Sequence, residues 1–241
     1  MMGTRLAEIW VYLAQTPLLW LALTVVAYVL ADALHARLRR HPLAHPVLVA
    51  VALLIAVLAA SGTPYGDYFE GAQFVHFLLG PAIVALALPL HRELRNVRAR
   101  ALRLGAALLA GSATAVISAA GTAWLLGASR PTIASLAPKS TTAPVAMGIA
   151  EKIGGLPSLT AALVILTGIL GGVAGPALLR IVRVRDAAAR GFALGVTSHG
   201  IGTARAFQLG EREGAFSGLG MGLNALATTL LLPAILRLLG L

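Results

Sequence analysis

The sequence contains no cysteine in 241 residues. That absence excludes disulfides, cysteine-ligated zinc and thiol catalysis, and it leaves the compartment open. Charge is scarce too: 12% of residues are Asp, Glu, Lys or Arg, against about 25% in an ordinary soluble domain. Lysine is nearly missing, with two lysines beside seventeen arginines. Apolar residues fill the space instead, at 58% of the chain and a mean hydropathy of +0.85. A short chain exposes much of its surface, so one core cannot hide this much apolar area from water. The solvent expected for most of these side chains is lipid, and a length that suits one or two soluble domains reads here as a single membrane domain over 1–241.

A net charge of +10 raises the question of nucleic acid. Its distribution answers otherwise. Three basic residues fall in Arg37–Arg40, five in Arg92–Arg103 and four in Arg180–Arg190, each group between apolar runs. Cytoplasmic loops carry this pattern under the positive-inside rule, so the partner implied is a lipid bilayer and not nucleic acid. Residues 18–31 followed by Ala33-Leu34-His35-Ala36 loosely mimic a signal peptide. Glu8 and the apolar stretch from Ile9 to Leu13 are foreign to a charged leader, so a retained first span is expected.

A bilayer core needs about 20 apolar residues per helix. Segments 18–36, 46–61, 72–90, 102–126, 157–179 and 214–239 meet that need and predict about six full spans. Two further stretches, 132–153 and 187–209, are apolar but broken by polar residues, Pro and Gly. With the Arg37–Arg40 and Arg92–Arg103 loops inside, the Asp67–Glu70 turn lies outside and span 102–126 exits near Arg130. Span 157–179 ends inside at Arg180–Arg190 and so starts outside. Segment 132–153 then begins and ends on one side, which predicts a re-entrant hairpin. For 187–209, re-entry and crossing both stand. Ser140-Thr-Thr-Ala-Pro-Val-Ala146 and Ser198-His-Gly-Ile-Gly-Thr-Ala204 are weakly alike, and each precedes a long apolar span. That pattern fits an inverted repeat of the kind found in secondary transporters. The expected fold is an all-α polytopic membrane protein with two broken helical hairpins and an elevator-like arrangement. Residues 1–127 are read as scaffold and 128–241 as the transport part.

The chemistry is expected at the two breaks. In Pro138-Lys-Ser-Thr-Thr-Ala-Pro144, Pro144 suits the first turn of a helix, and Thr141 or Thr142 is placed to cap it through a side-chain oxygen. A helix N-terminus of this kind attracts a carboxylate or phosphate. Lys139 is one of the two lysines and lies in an apolar segment, where an ammonium must face a cavity, an anion or a partner; the alternative is snorkelling to the headgroups. In Thr197-Ser-His-Gly-Ile-Gly-Thr-Ala-Arg205, Gly200 and Gly202 permit backbone conformations closed to other residues. Ser198, His199 and Thr203 supply polar groups, and Arg205 offers a fork suited to a carboxylate. His199 reads equally as a proton carrier or as a satisfied interhelical hydrogen bond, and Arg205 as a ligand or a loop charge. Asn224 in the last span is expected to bond to the hairpins, Asp32 to pair with Arg37 or a neighbouring helix, and Gly80-Pro81 to kink the span that Gln73 and His76 open. Glycines including Gly168, Gly171, Gly172 and Gly175 permit close helix packing.

Enzyme activity is not expected. Gly195-x-x-Ser198-x-Gly200 lacks the spacing of a nucleophile elbow, Ser198 and His199 are sequence neighbours, and no His/Asp/Glu set has metal-ligand spacing. No metal or cofactor is implied, although H+ or Na+ is available as a coupling ion.

Three stretches resemble the LrgB/CidB family of antiholin-like membrane proteins and the C-terminal half of the plastidial glycolate/glycerate translocator: Leu79–Leu90, Pro138–Ala146 and Gly195–Arg205. The resemblance extends over most of residues 20–240. It implies a carrier of small 2-hydroxy or 2-oxo monocarboxylates (glycolate, glycerate, pyruvate) in the cytoplasmic membrane. It also implies an older role, modulation of murein hydrolase export and cell lysis beside a small LrgA/CidA-type partner. A homodimer is the oligomer expected of an elevator carrier. The substrate-binding residues expected are Lys139, Ser140, Thr141, Thr142, Pro144, Ser198, His199, Gly200, Gly202, Thr203, Arg205 and Asn224.

Overall fold

The computed structural model describes residues 16–38, 44–78, 81, 84–85 and 87–238, all helix or short connection. Two compact units divide between Ala85 and Leu86, and the helix over Ala101–Leu125 falls in the second.

In the first unit, α1 (Pro17–Arg37), α2 (Pro46–Ser61) and α3 (Tyr65–Phe77) follow one another. Pro17 and Pro46 each sit in a first helical turn, where a missing N–H costs nothing. Gly62 ends α2 with a left-handed φ of 65°, a conformation glycine adopts without penalty. Small residues Ala27, Ala31 and Ala50 bring α1 and α2 together. Trp20 is fully buried and meets the Tyr68 ring edge-on at 5.9 Å. Gly71 touches the backbone of Pro17, so α3 lies directly on the start of α1. Asp32 is exposed and, among the described residues, makes no ion pair with Arg37, one of its two expected partners. The kink at Gly80-Pro81 and the side chain of His76 lie outside the described residues.

The second unit holds α4 (Ala87–Arg92), α5 (Leu94–Ala99), α6 (Ala101–Leu125), α7 (Arg130–Leu136), α8 (Ala143–Lys152), α9 (Pro157–Ile181), α10 (Ala187–Leu209) and α11 (Glu211–Leu238). Leu104 joins Phe192, Val196 and Phe216 in one apolar cluster. Val116, Ala120 and Ala123 join Leu232 and Leu236 in another. These two clusters, with the Ser112–Thr228 hydroxyl pair at 3.2 Å between them, set α6 and α11 side by side in the same direction. Four ion pairs gather at the first cluster's end: Arg92–Glu211, Arg100–Asp186, Arg190–Glu213 and Arg212–Glu93.

Four described helices are long and apolar enough to cross a bilayer: Pro17–Arg37, Ala101–Leu125, Pro157–Ile181 and Glu211–Pro233. Pro46–Ser61 is shorter. Of the six full spans expected, four appear among the described residues. Segment 72–90 is described in part: Gln73 belongs to a helix that starts at Tyr65 and ends at Phe77, Pro81, Val84 and Ala85 are helical, and α4 covers Ala87–Arg92.

Candidate functional site

The first break is a hairpin. Ser129 caps α7 by accepting the Thr132 N–H at 3.4 Å, and the chain turns through residues 137–141. Thr142 is extended at φ −66° and ψ 147°, and α8 then starts with Pro144 in its first turn. Gly154, at a left-handed φ of 80°, follows the end of α8. The next glycine, Gly155, lies so close to α7 that a Cβ there would stand 2.9 Å from the Ser135 nitrogen, and Leu156 N–H donates to Ser135 Oγ at 2.7 Å. The excursion out through Ser140 therefore comes back to its own beginning, as charge topology required. Arg130 and Lys152, one from each arm, line a single cavity beside Pro233 and Leu236.

The second break is also a hairpin, with both arms running along the same half of α11. Asp186 caps α10 through the Ala189 N–H at 2.9 Å. The first arm runs parallel to α11: Gly191 touches the Glu213 backbone, Gly195 the Ser217 carbonyl, and a Cβ at Gly220 would stand 2.7 Å from the Phe192 carbonyl. The turn comes at His199, whose φ of 42° and ψ of −133° fall in a region sparsely populated by side-chain-bearing residues. The second arm then runs back along α11. Thr203 Oγ1 lies 3.0 Å from Ser217 Oγ, and the Phe207 ring covers Gly214. Gly202 is needed where the arms meet, because a Cβ there would stand 2.6 Å from the Leu194 carbonyl.

The two hairpins enter from opposite ends of α11. One mouth is beside Pro233 and Leu236; the other is at Glu213, where Arg190 Nη1 comes within 3.8 Å of the carboxylate. At the α-helical rise, Glu213 and Pro233 are about 30 Å apart, the thickness of a bilayer's hydrocarbon core. Asn224, near the midpoint, is fully buried and donates from Nδ2 to the Ser140 carbonyl at 3.1 Å. A carbonyl only accepts, so this bond fixes the amide orientation and leaves Asn224 Oδ1 buried without a donor.

Both tips open on one cavity of about 940 Å³, lined at its polar end by Lys139, Ser140, Thr197 and Ser198 and elsewhere by α6 and α9. Lys139 is half-buried, with Nζ 3.5 Å from Ser140 Oγ. Ser198 Oγ is 3.1 Å from Thr197 Oγ1. The glycines of α9 form the wall behind the second tip: a Cβ at Gly168 would meet His199 at 2.6 Å, one at Gly171 would strike the Ser198 hydroxyl, and one at Gly175 would meet Leu194 at 2.6 Å. General close packing was the expectation for these glycines; their particular task is to admit the hairpin.

The remaining expected residues sit behind or beside the tips. His199 Nε2 donates to the Val164 carbonyl at 2.9 Å, the interhelical bond that was one of its two readings, and the ring does not line the cavity. Thr203 donates to the His199 carbonyl at 2.8 Å. Thr141 donates to the Pro138 carbonyl at 3.0 Å, and Thr142 occupies the N-cap position without a side-chain cap bond, so neither threonine caps α8 in the way expected. Pro144 is exposed. Gly200 is exposed, has open space around its Cβ position and does not take the positive φ, which falls on His199. Arg205 Nη1 donates to Gln208 at 2.7 Å and does not line the cavity with Lys139. Among the described residues, no three His, Asp or Glu side chains come together as a metal group would require.

Long apolar helices, four of them membrane-spanning by length and composition, and two hairpins meeting at mid-helix define a multi-pass helical membrane protein. The chain belongs to the LrgB-like family, whose model matches residues 24–238. It is 38% identical over 216 residues, 90% of this chain and 96% of the other, to Uncharacterized protein YwbG of Bacillus subtilis. Against Holin-like protein CidB it is 31% identical over 220 residues in Staphylococcus epidermidis and 32% identical over 221 in Staphylococcus aureus strain N315, covering 91–92% of this chain and 96% of each relative. No solved structure matches.

Proposed function

We propose that this protein is a secondary carrier of small 2-hydroxy or 2-oxo monocarboxylates, of the glycolate, glycerate and pyruvate type, in the bacterial cytoplasmic membrane. The observation that carries this reading is the meeting of Lys139, Ser140 and Ser198 around one cavity at the tips of two hairpins that enter from opposite ends of α11. Broken backbone at membrane depth is tolerated where it is buried in protein or lines a watery cavity. It leaves dipoles and hydroxyls to replace the hydration of a carboxylate, and Lys139 supplies the compensating charge. The opposed hairpins, each followed by a long helix, act as an inverted repeat. Movement of the hairpin part exposes the cavity to either side, with H+ or Na+ binding biasing the two states. A homodimer and a small LrgA/CidA-type partner are consistent with this arrangement.

A second reading has its own support, and the comparisons speak for it more directly. The Staphylococcus relatives are named holin-like, which points to a regulator of murein hydrolase export and lysis that assembles or gates a pore. Pore assembly needs simple spans that oligomerise and gives no role to two buried hairpin tips.

Purified protein in proteoliposomes separates the two. A panel of C2–C4 carboxylates, with and without ion gradients, is expected to show saturable, selective uptake. Release of unrelated solutes without saturation would establish the pore instead.

A further inference from the structure

A second cavity, about 530 Å³, lies between α6 and the first arm of α10, and it shares Gly111, Ala193 and Thr197 with the cavity at the hairpin tips. The two voids thus adjoin along one wall. The second begins at a rim made by Arg100, Arg103 and Asp186 and leads towards Ser198. Its floor is apolar, from Leu104, Ala107 and Phe192 among others, so its charge comes from the rim alone.

That rim is unevenly neutralised. Arg100 donates two hydrogen bonds at 2.9 Å to the two Asp186 oxygens, and Asp186 also caps α10. The other acids at this end are occupied as well: Glu93 by Arg212, Glu211 by Arg92 and Glu213 by Arg190. Arg103 lines the same cavity with no hydrogen bond or ion pair among the described residues, and it is exposed. A guanidinium at the mouth of a low-dielectric cleft focuses its field into the cleft and enriches anions there. An arginine serving topology alone has no need to stand at such a mouth.

We propose that the paired cavities are an anion-selective entry route from the basic end of the protein to the hairpin tips, with Arg103 as the residue that sets its charge selectivity and Arg100–Asp186 as its fixed post. This rests on the carrier reading for its cargo, a carboxylate, and on geometry for its course.

The natural absence of cysteine makes the route directly measurable. Ala193→Cys places one thiol on the shared wall in an otherwise cysteine-free chain. In nanodiscs, a sulfonate-bearing and a trimethylammonium-bearing methanethiosulfonate are compared, each rate normalised to that of a free thiol. The anionic reagent is expected to react about tenfold faster than the cationic one, and Arg103→Glu is expected to abolish or invert that preference. Thr197→Cys repeats the measurement should the first variant fail to fold. A thiol that reacts only after denaturation, or a charge preference unchanged by Arg103→Glu, overturns the proposal. Carboxylate uptake measured alongside keeps the two ideas apart. Charge-selective labelling without uptake by the cysteine-free protein removes the carrier reading and leaves the anion route standing. Uptake with charge-blind labelling removes the route.

Discussion

Asn224 on α11 donates to the carbonyl of Ser140 at the first hairpin tip, 3.1 Å away and wholly out of solvent. The bond pins that tip to the middle of the helix along which the second hairpin also lies, and so fixes the level at which the two tips meet. Asn224→Leu removes the donor and leaves a buried carbonyl unsatisfied. Hydrogen bonds between membrane helices contribute about 1–2 kcal/mol in model systems. The variant is expected to unfold at a lower temperature in detergent while keeping its helix content. An unchanged midpoint would show that the bond does not hold the tip.

His199 supplies the turn of the second hairpin at a φ of 42°. Glycine there should relieve a strain of about 1–3 kcal/mol, while both glycine and alanine lose the bond to Val164. The prediction is an order: wild type, then His199→Gly, then His199→Ala in falling stability. Denaturation midpoints check it, and an alanine variant as stable as the glycine variant would contradict the strained turn.

Two glycines near the same tip should respond in opposite ways. Gly171→Ala drives a methyl into the Ser198 hydroxyl and is expected to cost about 1–3 kcal/mol, as overpacking does. Gly200→Ala meets open space and should stay within about 0.5 kcal/mol of wild type. Thermal shifts of the two variants side by side decide the matter.

The Asp186 carboxyl is held below its ordinary value of 3.8, chiefly by the hydrogen bonds from Arg100 and then by the Ala189 N–H. A depressed folded-state value means that this group adds stability above its unfolded value, and that the contribution fades as pH falls through the folded one. The site is exposed, so the effect is small. The stability advantage of wild type over Asp186→Asn is expected to be constant near neutrality and to shrink below about pH 4. An advantage that grows on acidification would reverse the assigned sign.

Much of this architecture was legible in composition and charge. Segment 46–61 matches Pro46–Ser61, 102–126 matches Ala101–Leu125, and 157–179 matches Pro157–Ile181, because lipid demands long uninterrupted apolar runs. Charge alternation alone predicted that the segment around Lys139 returns to its own side. Other features depended on contacts between distant residues. Nothing in Arg92, Glu93, Arg100 or Arg190 announces which acid or base each will meet, so the paired basic end was invisible. The positive φ fell on His199 although glycines stood nearby, since packing of the imidazole between Gly168 and Val164 decides the conformation and not local propensity. Arg205, read as a ligand fork, found Gln208 one turn away.

The carrier reading stands or falls on Lys139, the one cation that lines the shared tip cavity among the described residues. The measurement is the concentration dependence of glycolate uptake into proteoliposomes for wild type, Lys139→Arg and Lys139→Ala. Loss of a charge-assisted bond of about 1.5–3 kcal/mol predicts that Lys139→Ala raises the half-saturating concentration more than tenfold, with partial recovery in Lys139→Arg. Saturable uptake with the same half-saturating concentration in all three proteins would contradict a carboxylate site at the hairpin tips.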